Sequence, residues 1–326
     1  MNLEGLVLVT GGAGYVGAEV VSALLERGAE VRILDNLLHG QDEVVAALQA
    51  QGAELIDADI RDADRRREAL QGATAVVHLA AIVGDPACAR DPELAQEVNV
   101  DATRDLVEDA AGAGVKHFIF SSTCSNYGRM TDPETPIDET GELAPVSLYA
   151  EQKVGIEKML LGRDGAPKAT CLRFATVYGA APRMRFDLTV NEFTRELWAD
   201  RDLEVFGEQF WRPYVHARDA AKGVATVLEA GPAEVGGDVF NVGHSDENYR
   251  KLDLVEIITE KVPRGRVSYV HRDEDPRDYK VSFEKIRERL GYVPDMRVPD
   301  GIVEVAAGLD EKAFGDPFDP RHRNTP

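Results

Sequence analysis

The stretch Thr10-Gly11-Gly12-Ala13-Gly14-Tyr15-Val16-Gly17 decides the fold. The apolar run Leu6-Val7-Leu8-Val9 leads into it and reads as a buried parallel strand. Val16, Val20, Ala23 and Leu24 follow on one face of a helical pattern. A strand, a glycine turn and a helix in this order aim backbone N–H groups and a helix N-terminus at one spot, which suits a pyrophosphate. The spacing of Gly11, Gly14 and Gly17 is G-x-x-G-x-x-G rather than G-x-G-x-x-G. Glycines here allow a tight turn, close approach of backbone to phosphate, and close packing of helix on strand.

Outward from this stretch, apolar runs alternate with amphipathic ones. Strands are predicted at 5–10, 30–35, 53–58, 74–79, 115–121 and 168–175, and helices at 14–28, 41–51, 62–71, 93–113 and 147–161. That rhythm predicts a parallel sheet covered on both faces. Beyond about residue 180 it loosens, broken by Pro182, Pro213, Pro232, Pro263 and Pro276. Short helices (186–200, 217–230, 250–262, 299–308) mix there with short strands (203–206, 238–242, 266–271). The predicted organisation is a dinucleotide-binding domain of residues 1–180 plus about 213–243, and a substrate lobe of 181–212 and 244–314. Residues 315–326, polar and proline-containing, are expected to form a flexible tail.

The chain of 326 residues is longer than one hydrophobic core usually serves. A net charge of −21 opposes binding to nucleic acid or to an anionic membrane. An anionic substrate then needs a locally basic pocket, and the late arginines are candidates. Cys88, Cys124 and Cys171 are scattered, without metal-ligand spacing or a disulfide framework, which predicts no metal and a reduced, cytoplasmic setting. The N-terminus leads directly into a strand, so no signal peptide is expected, and no apolar run approaches membrane-spanning length.

Asp35 ends the second strand about 20 residues past the glycine turn, where an acceptor for a ribose 2′-hydroxyl belongs. A carboxylate there repels a 2′-phosphate, which favours NAD over NADP. In Asp59-Ile60-Arg61-Asp62 a carboxylate can accept from an adenine amino group or cap the next helix. His78 in His78-Leu79-Ala80-Ala81 reads as a core histidine, and the small residues after it leave room for a dinucleotide. Tyr149 and Lys153, four apart, share a helical face. Tyrosine ionises near pH 10 on its own, about three units above neutrality, and an adjacent ammonium favours the phenolate. The hydroxyl-rich Ser121-Ser122-Thr123-Cys124-Ser125-Asn126-Tyr127-Gly128 precedes this pair, and Thr123 can bond the oxygen that Tyr149 deprotonates.

At these residues the chain resembles the extended short-chain dehydrogenase/reductases that act on nucleotide sugars. The likeness covers nearly the whole chain and rests on TGGAGYVG at 10–17, Asp35, DIRD at 59–62, HLAA at 78–81, Asn99, SSTCSNYG at 121–128, Tyr149/Lys153, RFATVYG at 173–179, RPYVHARD at 212–219 and NVG at 241–243. It implies a Rossmann-type doubly wound parallel α/β sheet with a smaller, discontinuous C-terminal substrate lobe. It also implies Tyr149 as proton acceptor and donor, Lys153 as its electrostatic partner and nicotinamide-ribose ligand, and Thr123 as the sugar-hydroxyl contact. Gly11, Gly14, Tyr15, Val16 and Gly17 would cradle the pyrophosphate of NAD, and Asp35 and Asn36 would meet the adenosine ribose. Asp59 and Ile60 would meet adenine, Leu79, Ala80, Ala81 and Ser121 would complete the cofactor site, and Asn99, on the cofactor side, would support the active-site loop and its water. Asn126, Asn191, Arg212 and Arg277, with Arg183 and Arg185, would hold a nucleotide-diphosphate sugar, arginine forks suiting phosphate oxygens.

The stretches PRMRFDLTVNEF, WRPYVHARD and DEDPRDYKVS resemble a narrower subgroup that includes the GDP-heptose 4-dehydrogenase type. Nucleotide-sugar 4,6-dehydratases carry Asp-Glu directly after the catalytic threonine; here Cys124 and Ser125 stand there, which argues against water elimination. Cys124 is either a C–H base or a small spacer. Val83 stands where several 4-epimerases have a polar residue. The reading is NAD-dependent oxidoreduction at C4 of a nucleotide-diphosphate sugar, foremost by a 4-epimerase. The alternatives are a 4-dehydrogenase or 4-ketoreductase with net cofactor turnover, or a non-catalytic NAD-binding protein. The resemblance also implies a homodimer through the 93–113 and 147–161 helices.

Overall fold

The protein is described by a computed structural model over residues 5–129, 132, 135–271 and 277–324. The first four residues of DEDPRDYKVS, Pro276 among them, lie outside the described residues. The first half runs β1 (Leu6–Thr10), α1 (Tyr15–Glu26), β2 (Glu30–Asp35), α2 (Asp42–Ala50), β3 (Glu54–Asp57), α3 (Ala63–Leu70), β4 (Ala73–His78), α4 (Asp85–Arg90), α5 (Pro92–Gln96), α6 (Ala102–Gly112), β5 (His117–Thr123), α7 (Leu148–Leu161) and β6 (Lys168–Phe174). The second half runs β7 (Thr176–Tyr178), α8 (Thr189–Trp198), β8 (Asp202–Phe206), β9 (Trp211–His216), α9 (Ala217–Ala230), α10 (Pro232–Val235), β10 (Asp238–Val242), β11 (Asn248–Arg250), α11 (Lys251–Lys261), β12 (Arg266–Val270), α12 (Glu284–Leu290) and α13 (Val298–Asp310).

Seven strands form one sheet in the order β10-β6-β5-β4-β1-β2-β3, and every pairing is parallel. Both faces are buried, as the apolar runs require. Val7 and Val9 point into the core shared with α1 and α9, while Leu8 between them points into the core shared with α3, α6 and α7. The strand order reverses between β1 and β4, so a crevice opens at their carboxyl ends. The sequence around β10 returns to this sheet: α9 packs beside α1 through Val224 and Leu228, and β10 pairs with β6.

The rest of the second half builds a small sheet, β11-β9-β7, and a parallel pair, β12-β8. Helices α8, α11 and α13 share a separate core of Leu197, Leu254, Ile258, Ile302, Tyr178 and Tyr214. Short elements such as β7, β9 and β11 escaped the sequence pattern because their pairing partners lie far away in the chain.

Two expectations are corrected. The helix expected at 93–113 is divided by a π-turn at Glu97–Asp101. Within it the side chain of Asn99 is spent on the β4–α4 loop, and Thr103 Oγ1 donates to the Asn99 carbonyl at 2.9 Å. The expected flexible tail is instead docked as far as residue 324. His322 is buried, Phe186 N donates to the His322 carbonyl at 2.8 Å, and the Arg201 guanidinium lies 3.6 Å from the Phe318 ring centroid. A few ring anchors in an otherwise polar segment suffice, and composition averages them away.

Candidate active site

A cavity of about 540 Å³ opens at the carboxyl ends of the main sheet and reaches the smaller lobe. One end is the glycine turn. Gly11 has φ +71°, and a Cβ on it would sit 2.7 Å from Ala80 N. A Cβ on Gly17 would sit 2.0 Å from the Gly11 carbonyl oxygen, so only glycine lets α1 close onto the turn. Asp35 accepts from Ala13 N and Leu37 N, each at 3.0 Å, and so ties the turn to the end of β2. Burial pushes its carboxyl pKa up and those two bonds oppose it. A carboxylate has about four lone-pair sites, so Asp35 retains capacity for a ribose hydroxyl. Asn36 Nδ2 donates to Asp59 at 3.4 Å, and Arg61 clamps the same carboxylate, holding it below the usual carboxylate range. Val16, Ile60, Leu79, Ala80 and Ala81 complete this wall. A turn that a single Cβ would fill, beside a carboxylate closing β2, fits NAD.

Tyr149 and Lys153 line the middle of the cavity with Ser121 and Thr123. Helix α7 starts at Ser147, whose Oγ accepts from Ala150 N at 3.3 Å. One turn in, Lys153 Nζ donates to the Ser121 carbonyl at 2.7 Å and stands 5.7 Å from the Tyr149 ring centroid. Thr123 Oγ1 accepts from Ser125 N at 3.1 Å. Burial lowers the Lys153 pKa to about 8, opposed by Cys88 and Glu157. The expectation that Lys153 brings the Tyr149 phenol down meets an opposing influence in burial. Burial pushes the phenol up, Cys88 adds to this, Arg185 opposes it and Asp85 adds further. Desolvation of the phenolate is the largest of these influences.

The far end is lined by Arg212, Arg277, Lys251 and Tyr279. Arg212 Nη1 donates to the Trp211 carbonyl and its guanidinium lies 5.4 Å from the Tyr279 ring centroid. Arg185 is paired with Asp187 at 2.8 Å. Among the described residues seven arginines and lysines line the cavity against two carboxylates, Asp35 and Asp59, although the chain carries −21 overall. Arg183, expected at this far end, is corrected to the glycine-turn end. It bears electrostatically on Asp35 and His39 and donates to Asn324 Oδ1 at 2.7 Å and to the carbonyls of Arg321 and Arg323.

Other expected site residues lie behind the wall. Asn191 accepts from Gly179 N and donates to Tyr15 Oη and the Arg185 carbonyl; with Tyr15 Oη donating to Gly179 O, it joins the glycine-turn helix to the loop after β7. Asn126 is fully buried and donates to Glu157 and Ser122. Asn99 grips the Ile82 backbone and Gln152, fixing the loop rather than facing the cavity. These amides spend their donors on buried side chains and carbonyls brought in from elsewhere in the chain, which spacing alone does not reveal. Cys124 Sγ donates to the Arg173 carbonyl and is a buried spacer. His78 sits between Thr10 and Thr103 at 2.7 and 2.8 Å, a core histidine whose pKa burial lowers to about 3. Behind Lys153, buried Glu157 pairs with Arg173 at 2.7 Å, and Arg173 donates to Tyr127.

Sequence reading missed Glu157, His39, Lys251, Tyr279 and Asn324. Glu157 had a signal, standing four residues past Lys153 on one helical face. Asn324 had none. Among the described residues no group of three or more His, Cys, Asp or Glu could hold a metal ion, and no helix is long and apolar enough to cross a membrane.

A Rossmann-type sheet with this glycine turn and a Tyr-x-x-x-Lys helix on one cavity defines a dinucleotide-dependent oxidoreductase of the extended short-chain class. Residues 7–243 match the NAD dependent epimerase/dehydratase family, and the chain belongs to it. The UDP-glucose 4-epimerase of Lacticaseibacillus casei is 30% identical over 343 residues, covering 95% of this chain and 99% of that protein. The crystal structure of UDP-glucose 4-epimerase with UDP-glucose from Thermotoga maritima superposes with a TM-score of 0.84 at 28% identity, covering 94% of this chain and 99% of that one. The dTDP-glucose 4,6-dehydratase of Streptomyces venezuelae, solved with NAD bound, gives 0.85 at 27% identity over 96% and 99%.

Proposed function

We propose that the protein is a nucleotide-sugar 4-epimerase that uses NAD. The carrying observation is one cavity that joins the glycine turn to Tyr149, Lys153 and Thr123 and ends in Arg212 and Arg277. Epimerases among its relatives support the C4 reading. A dehydratase needs an acid and a base beside the threonine. Cys124 is turned into the core, and among the described residues the carboxylates lining the cavity are Asp35 and Asp59, both at the glycine-turn end.

Bound NAD supplies the acceptor and later the donor of hydride at C4. Tyr149 Oη takes the proton of the C4 hydroxyl and returns it when the carbonyl is reduced on its other face. Thr123 Oγ1 holds that oxygen while it becomes a carbonyl. Lys153 lends positive charge beneath the phenol, and Arg212 and Arg277 neutralise the diphosphate. The sugar lies between the domain of residues 1–180 with 213–243 and the lobe of 181–212 and 244–314. Cytoplasmic placement, reasoned from the buried free cysteines, belongs to the same reading. A homodimer through α6 and α7 belongs to the same reading; their outward positions include Arg104, Glu108, Glu151 and Lys158.

The test is incubation of purified protein with UDP-, GDP-, CDP- and TDP-sugars. Conversion to the C4 epimer with no net rise in reduced-nicotinamide absorbance is expected. Stoichiometric cofactor reduction with a released keto sugar would instead make it a 4-dehydrogenase.

A further inference from the structure

We propose that Asp85 is a positioning residue of the reaction, coupling Arg277 on the far wall of the cavity to the start of the helix that carries Tyr149. The proposal rests on the nucleotide-sugar reading. Gly84, at φ +97°, turns the chain after β4 and delivers Asp85 to the first position of α4. Its Oδ1 accepts from Ser147 Oγ at 2.6 Å, and its Oδ2 accepts from Arg277 Nη1 at 2.9 Å. Ser147 is the N-cap of α7, so one hydroxyl accepts from Ala150 N and donates to Asp85. Three segments far apart in the chain thus meet on one carboxylate.

Two consequences follow. Asp85 fixes Nη1 of the Arg277 guanidinium before substrate arrives, and an oriented fork spends less freedom on a diphosphate. Ser147 lies two residues before Tyr149, so the same carboxylate sets where α7 begins and where the phenol stands. Charged and titratable groups bear on that phenol from several elements: Cys88 and Asp85 from α4, Arg185 from the loop after β7, and Lys153 from α7 itself. Among them Asp85 opposes ionisation, so it favours the protonated phenol that must return its proton to the keto sugar.

The test compares Asp85→Asn with Ser147→Ala in the dinucleotide-loaded protein. Asp85→Asn keeps shape and loses charge. Its acid limb of kcat is expected roughly half a pH unit lower, with KM for the nucleotide sugar up about tenfold. Ser147→Ala keeps the charge and breaks the link to α7, so kcat falls severalfold with the pH limb unmoved. A readout independent of turnover is the ultraviolet titration of tyrosinate, isolated by subtracting a Tyr149→Phe control; Asp85→Asn is expected to move it to lower pH. An unchanged pH limb and titration in Asp85→Asn would overturn the proposal, leaving Asp85 a mere loop anchor. Absence of turnover by the wild-type protein on every nucleotide sugar would overturn the functional reading instead, while the titration would still judge Asp85.

Discussion

The glycine-turn end of the cavity and its arginine-lined end are built in opposite ways. The first uses backbone: the turn after β1, the N-terminus of α1 and the carboxylate closing β2, all within residues 10–37. The second uses side chains of Arg212, Lys251 and Arg277, carried by segments that meet only after the second half folds around its own core. Backbone N–H groups are fixed by φ and ψ and tolerate no added Cβ. Long cationic side chains are aimed by their partners, as Arg277 is by Asp85. One end should therefore fail abruptly on small changes and the other by degrees.

The largest effect should come from the group between the two ends. Tyr149→Phe is expected to lower turnover about a thousandfold while leaving the dinucleotide content of the purified protein intact, read by steady-state rates and by cofactor released on denaturation. Gly17→Ala should break the first end. Its Cβ would meet the Gly11 carbonyl at 2.0 Å, with a stability loss of about 3 kcal/mol and loss of bound NAD, measured by thermal unfolding and cofactor analysis. Arg212→Ala should weaken only the second end, raising KM for the nucleotide sugar about tenfold with NAD content unchanged.

Lys153 gives a pH test of the region where the ends meet. Burial lowers its pKa from 10.5 to about 8, so between those values the unfolded chain binds a proton that the folded chain has released. Stability of the cofactor-free protein should rise with pH across that window, by about 3 kcal/mol from this group alone. Lys153→Met should flatten the rise in a denaturant series. The smallest effect is expected from ending the chain at Phe314. Loss of Asn324 and of the carbonyls that hold Arg183 should speed dinucleotide release severalfold, without changing KM for the sugar.

The fold was legible because its signals are local. Val7, Leu8 and Val9 announce a strand buried on both faces, and Gly11 to Gly17 announce the turn, from adjacent residues alone. Tyr149 and Lys153 were legible for the same reason, since helical spacing puts them on one face. The amides were misjudged: Asn126 and Asn191 carry the right chemistry, but their donors are consumed by Glu157 and Tyr15. Arg183 was misjudged because a segment 140 residues later in the chain decides its direction.

By itself the sequence determined the alternating α/β architecture, the dinucleotide turn, the preference for NAD at Asp35 and the pairing of Tyr149 with Lys153. Each follows from short-range geometry that the backbone enforces wherever the chain goes. Only the tertiary structure decided that an acidic protein encloses a basic cavity, that burial governs Tyr149 and Lys153, that Asn324 meets Arg183 at one end, and that Asp85 joins Arg277 to Ser147. These depend on which distant groups share a small, poorly solvated volume, where a charge or a hydrogen bond weighs far more than in water.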